Sequence, residues 1–454
     1  TCALPICGIR RIGAAHASIG TKQKRVQFHE NVSWIENPSE FAKNFENIEY
    51  DPIAAAAYTA HVPFDAPPSD VLPSKDDLVQ GLMKYFNVPE HLSGPLPVIT
   101  DMDPSNPPKT IKQAMETKFA LFWAIAIVEE WLSIIGNNTW ELVDKQPWMK
   151  IIPCKWVFAI KLDKRGIPIR CKARLVAGGH RQVEGIDYEE TYAPVSRMTT
   201  LRILLGVAAC KRWVVHQIDI KTAFLHGEAD MDIYMRQPPG FEDGSNLVCK
   251  LRKTLYGLKQ APRAWYFVLK KVLNDLGFNQ ISADSSFWVH KTDDIVVFLT
   301  SIVDDMLIVS KHEAYTLNIV RSILDKLPGT HSGRAGFYNG LRITWLDETC
   351  EVLLTQTSHI EKAFEKFAPF MDTSKRRSLP AKENLRICKT GSNFNSDSPS
   401  LDVTIYHYRE LIGSISYIAH ASRPDVIHVV NQLAKVANAP TWEHWSLGLE
   451  LISF

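Results

Sequence analysis

Three aspartates in this sequence have the surroundings expected of a metal-binding site. Asp304 and Asp305 are adjacent and lie between two apolar, β-branched stretches that are typical of buried strands. Like-charged carboxylates in such surroundings are costly unless cations, hydrogen bonds or a metal ion neutralise them. Asp219 ends a third β-rich stretch, 213–220. Three carboxylates on neighbouring strands would hold two Mg²⁺ (or Mn²⁺) ions roughly 3.5–4 Å apart, which is an arrangement that catalyses phosphoryl transfer.

Each aspartate also has an ordinary interpretation. Other Asp-Asp pairs, at 76–77 and 293–294, lie in polar, loop-like surroundings, and a strand that ends in Asp is common. A small-molecule metallohydrolase that used the same carboxylates would need a cluster of histidines at the metal. The histidines are scattered instead, at positions such as 290, 312 and 331, which argues against that class of enzyme.

A predicted β-hairpin carries cations that suit a phosphate-binding surface. Apolar residues alternate through 155–162 and 167–175 on either side of a turn at 163–166. Period two places the intervening residues together on the opposite face. Five of them are cationic: Lys155, Lys161, Arg170, Lys172 and Arg174. Such a face is either solvent-exposed or directed at phosphates, and five cations on one ribbon favour phosphates.

Charge along the chain supports a polyanionic partner. The whole chain has a net charge of only +1, but residues 150–275 hold 22 Lys and Arg against 12 Asp and Glu, a difference of +10. A basic block within a neutral chain is typical of a surface that binds nucleic acid.

The remaining patterns predict helices and a linker. We expect helices over 111–135, after an N-cap at Thr199 or Thr200, after a capping box of Ser358 and Glu361, and over 406–420 and 425–437. A further helix is expected to open at Pro262 and stop at Gly277. Eleven prolines between Pro52 and Pro108 predict that residues 1–110 form a largely irregular linker.

Composition excludes a membrane-spanning chain. Hydrophobic residues make up 45% and charged residues 22% of the sequence, as in ordinary globular proteins. The longest apolar run, 120–128, is far shorter than the ~20 residues of a membrane span. We expect the eight cysteines to be reduced in an intracellular compartment, with a metal site as the alternative; only Cys2 and Cys7 lie close together.

Seven segments resemble, in order, the motifs of copia-type long-terminal-repeat retrotransposon reverse transcriptases, a Pseudoviridae-like family. The similar segments are 138–143 (NTWELV), 172–179 (KARLVAGG), 217–227 (QIDIKTAFLHG), 234–241 (YMRQPPGF), 255–265 (LYGLKQAPRAW), 423–425 (RPD) and 440–445 (PTWEHW). The resemblance covers about 110–454.

The resemblance implies an α+β right-hand polymerase with fingers, palm and thumb around an antiparallel palm sheet. Fingers and palm would occupy 111–345, and a helical thumb or connection 346–454. The implied activity is RNA-directed DNA polymerisation with two Mg²⁺ (or Mn²⁺) ions. Partners would be an RNA template, a DNA or RNA primer, dNTPs and the rest of a Gag-Pol polyprotein, but no membrane. Cytoplasmic virus-like particles are the expected location for an intact element.

The resemblance also assigns roles to individual residues. Asp219, Asp304 and Asp305 would be the catalytic, metal-binding carboxylates. Nucleotide contacts would come from Lys172, Arg174, Thr222, Ala223, Phe224, Gln260 and Arg263, with Phe224 as the steric gate against a ribose 2′-hydroxyl. The primer grip would be formed by Phe337, Tyr338, Asn339, Gly340 and Leu341.

The sequence departs from the family pattern at several points. Ile302 stands where the family usually has Tyr, and Asn339 stands where an aliphatic residue is usual. The chain begins with Thr and stops at Phe454, near the expected start of a ribonuclease H domain, so we expect a polyprotein fragment that follows an absent integrase. These departures leave open an alternative, a decayed copy that binds nucleic acid without polymerising.

Overall fold

The structure is a computed structural model that describes residues 98–163, 166–371 and 378–454. Nearly all of the predicted linker therefore lies outside the described residues, as do Cys2 and Cys7. The described helices are α1 Ile111–Met115, α2 Ala120–Gly136, α3 Met198–Lys211, α4 Ala261–Asp275, α5 Glu313–Lys326, α6 Thr357–Phe367, α7 Tyr408–Ala421, α8 Ile427–Lys435 and α9 Trp442–Ser453.

The described strands form three sheets and two hairpins. They are β1 Trp140–Asp144, β2 Ile151–Ile152, β3 Cys154–Leu162, β4 Pro168–Ala177, β5 Val215–Ile220, β6 Tyr234–Met235, β7 Leu247–Leu251, β8 Phe278–Ile281, β9 Asp284–Lys291, β10 Val296–Ile302, β11 Asp305–Ser310, β12 Gly329–Arg334, β13 Phe337–Tyr338, β14 Leu341–Leu346, β15 Glu351–Thr355, β16 Ile387–Cys388 and β17 Gly391–Ser392. The predicted mixture of helices and sheets is confirmed.

The largest sheet is antiparallel and has the order β12-β5-β11-β10-β9-β8. Its central strands are buried on both faces, which explains why their sequences are almost continuously apolar. On one face Met306 and Ile308 of β11 pack in a core with residues of α4 and α5. On the other face Leu307 and Val309 pack in a second core with residues of α3, β13 and β14. Period two thus sends successive residues of one strand into different cores.

The predicted basic hairpin is confirmed as the pair β3–β4. Trp156 and Phe158 are buried on its apolar face. The register pairs Lys161 with Arg170 and Ala159 with Lys172, so the five predicted cations share one face. A bulge between Lys161 and Leu162 interrupts the register and leaves Leu162 and Ile169 exposed.

The four-stranded sheet has the order β1-β7-β6-β2, and its strands come before and after the hairpin in sequence. Its residues share a core with α2 and β4. Beside that core, Trp131 of α2 stacks on Phe241, with ring centroids 4.0 Å apart. Phe241, the last residue of the quoted motif 234–241, thus packs against α2.

Several helix boundaries differ from the sequence prediction. The predicted helix over 111–135 is two helices, because the backbone leaves helical conformation at 117–119. Neither Thr199 nor Thr200 caps α3, since the helix already begins at Met198. Asp284 of β9 supplies the cap instead: its Oδ2 accepts from the Arg197 backbone N–H (3.2 Å) and the Thr200 hydroxyl (2.6 Å). A residue distant in sequence replaced the local cap, which sequence alone could not show.

The other helix predictions had mixed outcomes. Helix α4 has Pro262 in its first turn and ends just before Gly277, as predicted. The prediction of a Ser358–Glu361 capping box is wrong, because α6 begins at Thr357 and its N-cap residue, Gln356, makes no side-chain capping hydrogen bond. The helix expected over 425–437 is a 3₁₀ turn at Pro424–Val426 followed by the shorter α8.

The region beyond 346 is not purely helical. The proposed boundary at 345/346 falls within β14, which pairs with β15 across it, and β16 and β17 form a further hairpin. Helices α7, α8 and α9 pack around Tyr408, Leu411 and Trp445 in a separate core. A capping box of Thr441 and His444 begins α9.

Three further sequence predictions can be compared with the described residues. Met102, in the predicted linker, is buried in the core beneath β4. The six described cysteines are all free thiols. None of the described helices combines the length and the apolarity that a membrane crossing requires.

Candidate active site

Asp219 and Asp305 lie opposite each other on neighbouring strands. They are register partners in the antiparallel pair β5–β11, so their side chains emerge on the same face of the sheet. The backbone carbonyl of Asp304 accepts from the Ile220 N–H at 2.8 Å, which fixes the adjoining turn to the end of β5. Asp219 is exposed, and both residues of the Asp-Asp pair are half-buried. Strand pairing thus brings Asp219 to the Asp304-Asp305 pair, whose two members lie 85 and 86 residues further along the sequence.

The Asp-Asp pair belongs to a tight hairpin. Ile302 pairs with Asp305, so Val303 and Asp304 form a two-residue turn between β10 and β11. Val303 has φ +53°, a strained conformation for a β-branched residue. Its carbonyl accepts from the indole N–H of Trp265 in α4 at 2.7 Å, which holds the turn in place. Ile302 ends its strand against the core beneath the hairpin, as expected of an aliphatic residue there.

The carboxylates perturb one another electrostatically. Burial, together with the neighbouring charges of Asp219 and Asp304, raises the pKa of Asp305 to about 7, although a hydrogen bond from Gln217 opposes the shift. Partial desolvation and Asp304 also raise the pKa of Asp219. Such mutual repulsion is what a divalent cation would relieve.

Cations of the basic hairpin act electrostatically on Asp219. Three of the hairpin's cations act against the rise in the pKa of Asp219, namely Lys172, Lys161 and Arg174. Burial and the neighbouring Arg174 and Lys161 lower the pKa of Lys172 itself, as expected for a crowded cationic face. The predicted phosphate-binding residues Lys172 and Arg174 are therefore within electrostatic reach of Asp219. Lys161, which the sequence placed on the same face, was missed as a site residue.

A carboxyl group lies buried behind the hairpin. Burial raises the pKa of Glu130 of α2 to about 7, against the opposing effects of the Leu175 backbone, Arg174 and Lys172. Its Oε1 atom has no hydrogen-bond partner among the described residues. Arg170 of the same strand as Arg174 pairs with Glu129 of α2 at 2.5 Å. Acidic residues of α2 thus help to hold the cationic strand.

The segment after Asp219 turns sharply. Thr222 has φ +51°, and a 3₁₀ turn over Ala223–His226 follows it. Ala223 is buried, whereas Phe224, the proposed steric gate, is half-buried. The Phe224 ring meets Tyr256 edge-to-face, with centroids 4.9 Å apart.

Tyr256 is a site residue that the sequence prediction missed. Arg174 lies over its ring at 4.7 Å, and burial raises the pKa of Tyr256 to about 12, with a smaller contribution from Asp304 in the same direction. Tyr256 therefore connects the predicted phosphate contact Arg174 to the predicted gate Phe224. The available signal was its place within the quoted motif 255–265, immediately before Gly257, whose φ is +94°.

The two remaining nucleotide-contact predictions occupy different surroundings. Gln260 is buried, and its amide donates to the Asp187 carbonyl (2.8 Å) and Asp230 (3.3 Å) and accepts from Gln182 (3.0 Å). Arg263 is half-buried, donates to the Tyr192 carbonyl at 3.3 Å and lies over the ring of Phe267. Nucleotide contacts by Gln260 and Arg263 stay predictions, and Gln260 would have to give up internal hydrogen bonds to make one.

The predicted primer grip, 337–341, is a β-hairpin. Asn339 and Gly340 form its two-residue loop between β13 and β14, with φ values of +50° and +74°. Two positive φ values characterise a type I′ turn, in which Asn-Gly is strongly preferred. Asn339 thus has a conformational reason for replacing the usual aliphatic residue. Phe337 is exposed, while Tyr338 is buried and donates from its hydroxyl to the Asp305 carbonyl at 3.4 Å.

Helix α7 contacts the tip of this hairpin. The Tyr417 hydroxyl donates to the Asn339 carbonyl at 3.0 Å. Arg202 of α3 in turn donates to the carbonyls of His420 and Ala421 at the end of α7, at 2.5 Å each. The hairpin is therefore held between the carboxylate-bearing sheet and the C-terminal helices.

Metal coordination is not preformed as a complete ligand set. Within residues 98–163, 166–371 and 378–454, no cluster of three or more His, Cys, Asp or Glu side chains is arranged to hold a metal ion. The donor chemistry still suits Mg²⁺, because this ion is usually bound by one or two carboxylates together with substrate phosphates and water. Asp219 and Asp305 provide two such carboxylates on one face.

A family model for "Reverse transcriptase (RNA-dependent DNA polymerase)" matches residues 137–379, more than half of the chain. The match contains both carboxylate-bearing strands and the basic hairpin. The chain belongs to the reverse transcriptase family.

The relatives place it more narrowly. The chain is 35% identical over 340 residues to the retrovirus-related Pol polyprotein from transposon RE1 of Arabidopsis thaliana, covering 74% of this chain and 22% of that protein. It is 33% identical over 323 residues to the corresponding polyprotein from transposon TNT 1-94 of Nicotiana tabacum, covering 70% of this chain and 24% of the relative. The predicted resemblance to copia-type retrotransposons is confirmed. The chain spans about a quarter or less of the length of these relatives.

Proposed function

We propose that this chain is an RNA-directed DNA polymerase that extends a primer by two-metal nucleotidyl transfer. One observation carries the proposal: Asp219 and Asp305 are register partners beside the Asp304 turn, and cations of the β3–β4 hairpin lie within electrostatic reach of Asp219. Carboxylates alone would suit many metal enzymes. Carboxylates near a row of cations suit a substrate with a triphosphate, because the cations neutralise the phosphates that the metal ions also contact.

The three aspartates would hold two Mg²⁺ (or Mn²⁺) ions. When bound, the ions would activate the primer 3′-hydroxyl and stabilise the departing pyrophosphate. The pKa of Asp305, about 7, applies to the site with no metal ion bound, and a divalent ion would favour the ionised form of Asp305. Asp219 is already exposed, so an ion could reach its carboxylate directly.

The other residues would bind and orient the substrates. Lys172 and Arg174 would contact the triphosphate, with Thr222 and Ala223 approaching it through their backbone. Phe224 and Tyr256 would form the wall beside the sugar, where Phe224 excludes a 2′-hydroxyl. The 337–341 hairpin would hold the primer end, since Tyr338 ties it to Asp305.

This assignment corresponds to fingers, palm and thumb. The antiparallel sheet around β5 and β11 would be the palm, the β3–β4 hairpin would belong to the fingers, and the helices beyond α6 would form the thumb or connection. An RNA template and a DNA or RNA primer would lie between them. In an intact element the chain would act beside the integrase and ribonuclease H of the same polyprotein.

Primer extension on an RNA template tests the proposal. Wild-type protein should incorporate dNTPs with Mg²⁺ or Mn²⁺, and Asp304→Asn should not, because it removes a carboxylate without changing the size of the side chain. Asp293→Asn is a matched control from the other Asp-Asp pair and should keep wild-type activity. Equal incorporation by wild type and Asp304→Asn would refute the role of Asp304. Salt-dependent binding of primer–template without extension by the wild type would support a decayed copy.

A further inference from the structure

Gln217 lies between the carboxylates and the 337–341 hairpin. It is located two residues before Asp219 in β5, so both side chains emerge on the same face of the sheet. Its Nε2 atom donates to Oδ1 and Oδ2 of Asp305, at 2.9 and 3.1 Å, and to the backbone carbonyl of Phe337, at 2.9 Å. All three partners are acceptors, so the amide must present its nitrogen to them.

The three bonds of this one amide constrain two different groups. A shared N–H directed between both carboxylate oxygens fixes the rotation of the Asp305 carboxylate about its Cβ–Cγ bond. A carboxylate has about four lone-pair positions, so the outward positions stay available to a cation. The second N–H holds Phe337, whose side chain is 59% exposed, at the start of the hairpin.

A second contact joins the same two elements from the buried side. The Tyr338 hydroxyl donates to the backbone carbonyl of Asp305 at 3.4 Å. Tyr338 is fully buried, so this bond is part of the core. Gln217 supplies the corresponding bond at the surface, where the carboxylate itself is oriented. Loss of Gln217 would therefore leave the hairpin folded but free the carboxylate.

We propose that Gln217 is a positioning residue, which orients the Asp305 carboxylate for divalent-cation binding and ties the primer hairpin to it. This inference deepens the proposed polymerase function and rests on it. The residue does not touch the reacting atoms, so its effect must appear through the metal. Losing a hydrogen bond to a charged group weakens the affinity of the oriented carboxylate for the ion.

The test compares Gln217→Met with a matched control, Gln280→Met. Methionine has similar length and cannot donate. Gln280 lies in β8, an edge strand of the same sheet, where its amide donates to the Tyr266 hydroxyl (2.5 Å) and the Ser285 carbonyl (2.6 Å). Both variants thus lose comparable amide bonds, but only one loses a bond to a carboxylate. Circular dichroism and thermal melting first establish that both are folded.

Primer extension is then measured over a Mg²⁺ titration. We expect Gln217→Met to need about tenfold more Mg²⁺ for half-maximal rate, the factor for losing one hydrogen bond to a charged group. Mn²⁺ suits the same oxygen ligands as Mg²⁺. Saturating Mn²⁺ should therefore restore most of the rate, because the variant has lost affinity for the ion and not a group that reacts. Gln280→Met should keep the wild-type Mg²⁺ dependence. A lower rate with unchanged Mg²⁺ dependence, or an equal shift in both variants, would overturn the proposal.

A measurement without catalysis separates this inference from the polymerase assignment. Binding of Mn²⁺ to each protein, followed by electron paramagnetic resonance of the free ion, should be about tenfold weaker for Gln217→Met. Equal Mn²⁺ affinity in wild type and Gln217→Met would refute the role of Gln217. Wild-type protein that binds Mn²⁺ but extends no primer would refute the proposed activity alone.

Discussion

Replacing Gly340 by alanine tests how the primer hairpin is held. Gly340 has φ +74° in the type I′ turn, and an added Cβ would overlap the hydroxyl of Tyr417. That hydroxyl donates to the Asn339 carbonyl. Gly340→Ala therefore introduces two costs, a left-handed alanine and a displaced tyrosine. Gly333→Ala introduces only the first of these costs, because Gly333 has φ +75° and nothing lies within 4 Å of its added Cβ.

The expected magnitudes follow from these contacts. Left-handed conformation costs a non-glycine residue about 1 kcal/mol, which is the whole expected loss for Gly333→Ala. Displacing Tyr417 adds the loss of one hydrogen bond, about 1 kcal/mol, so Gly340→Ala should lose about 2 kcal/mol. With Tyr417→Phe the nearest atom to the added Cβ becomes the ring carbon Cζ at 3.5 Å, an ordinary contact. In that background Gly340→Ala should lose only about 1 kcal/mol.

Urea denaturation of the four proteins in this double-mutant cycle gives the coupling free energy between positions 340 and 417. We expect about 1 kcal/mol. Equal destabilisation by Gly340→Ala and Gly333→Ala would refute the reasoning, as would a coupling free energy near zero. Primer–template affinity measured on the same proteins should fall with Gly340→Ala and stay unchanged with Gly333→Ala.

Three further results are expected. Relative to wild type, Glu130→Gln should become increasingly stable between pH 4.5 and 7 and level off above pH 7, because the pKa of Glu130 is raised from 4.5 to about 7 and the folded state alone must keep a buried carboxylate once it ionises; urea denaturation from pH 4.5 to 8 measures it. Gly257→Ala should lose at least about 3 kcal/mol, since its Cβ would overlap the Ala177 carbonyl oxygen at φ +94°. Tyr256→Leu should raise the KM for dNTPs roughly five- to thirtyfold, because Arg174 loses the aromatic face beneath it.

Each of these results has a control. The sign of the Glu130 effect follows from linkage: between pH 4.5 and 7 the folded state binds the proton more tightly, so stability falls as pH rises. A difference that does not change with pH would contradict it. Gly185→Ala, at φ +77° in open space, should cost only about 1 kcal/mol. Tyr256→Phe should leave the dNTP KM near the wild-type value, and a KM for Tyr256→Leu equal to it would contradict the role of the ring.

Much of the site could be predicted because its signals are local. Strands around Asp305 are continuously apolar, and alternation in 155–175 assigns each cation to a face before any partner is known. Helix ends were predicted less well. The cap of α3 is Asp284, which lies more than 80 residues beyond the helix start, so no local pattern could indicate it.

The same limit applies within the site. Gln260 was predicted to face the nucleotide, but its hydrogen bonds reach Asp187, Asp230 and Gln182, which lie in other segments. Tyr256 was overlooked because its proposed role depends on contacts with Arg174 and Phe224, which form only when the chain folds. Asn339 departs from the family pattern in sequence, and only the turn geometry explains why Asn precedes Gly there.

The sequence by itself determined the family, the three carboxylates and the basic hairpin, since these depend on residue types, short-range periodicity and the order of motifs. Tertiary structure alone decided that Asp219 and Asp305 are register partners, that Gln217 joins Asp305 to Phe337, and that Tyr417 covers the hairpin turn. Those relationships arise from strand pairing and packing between segments that are distant in sequence. Periodicity assigns a face to a side chain, and pairing then determines which side chain it meets there.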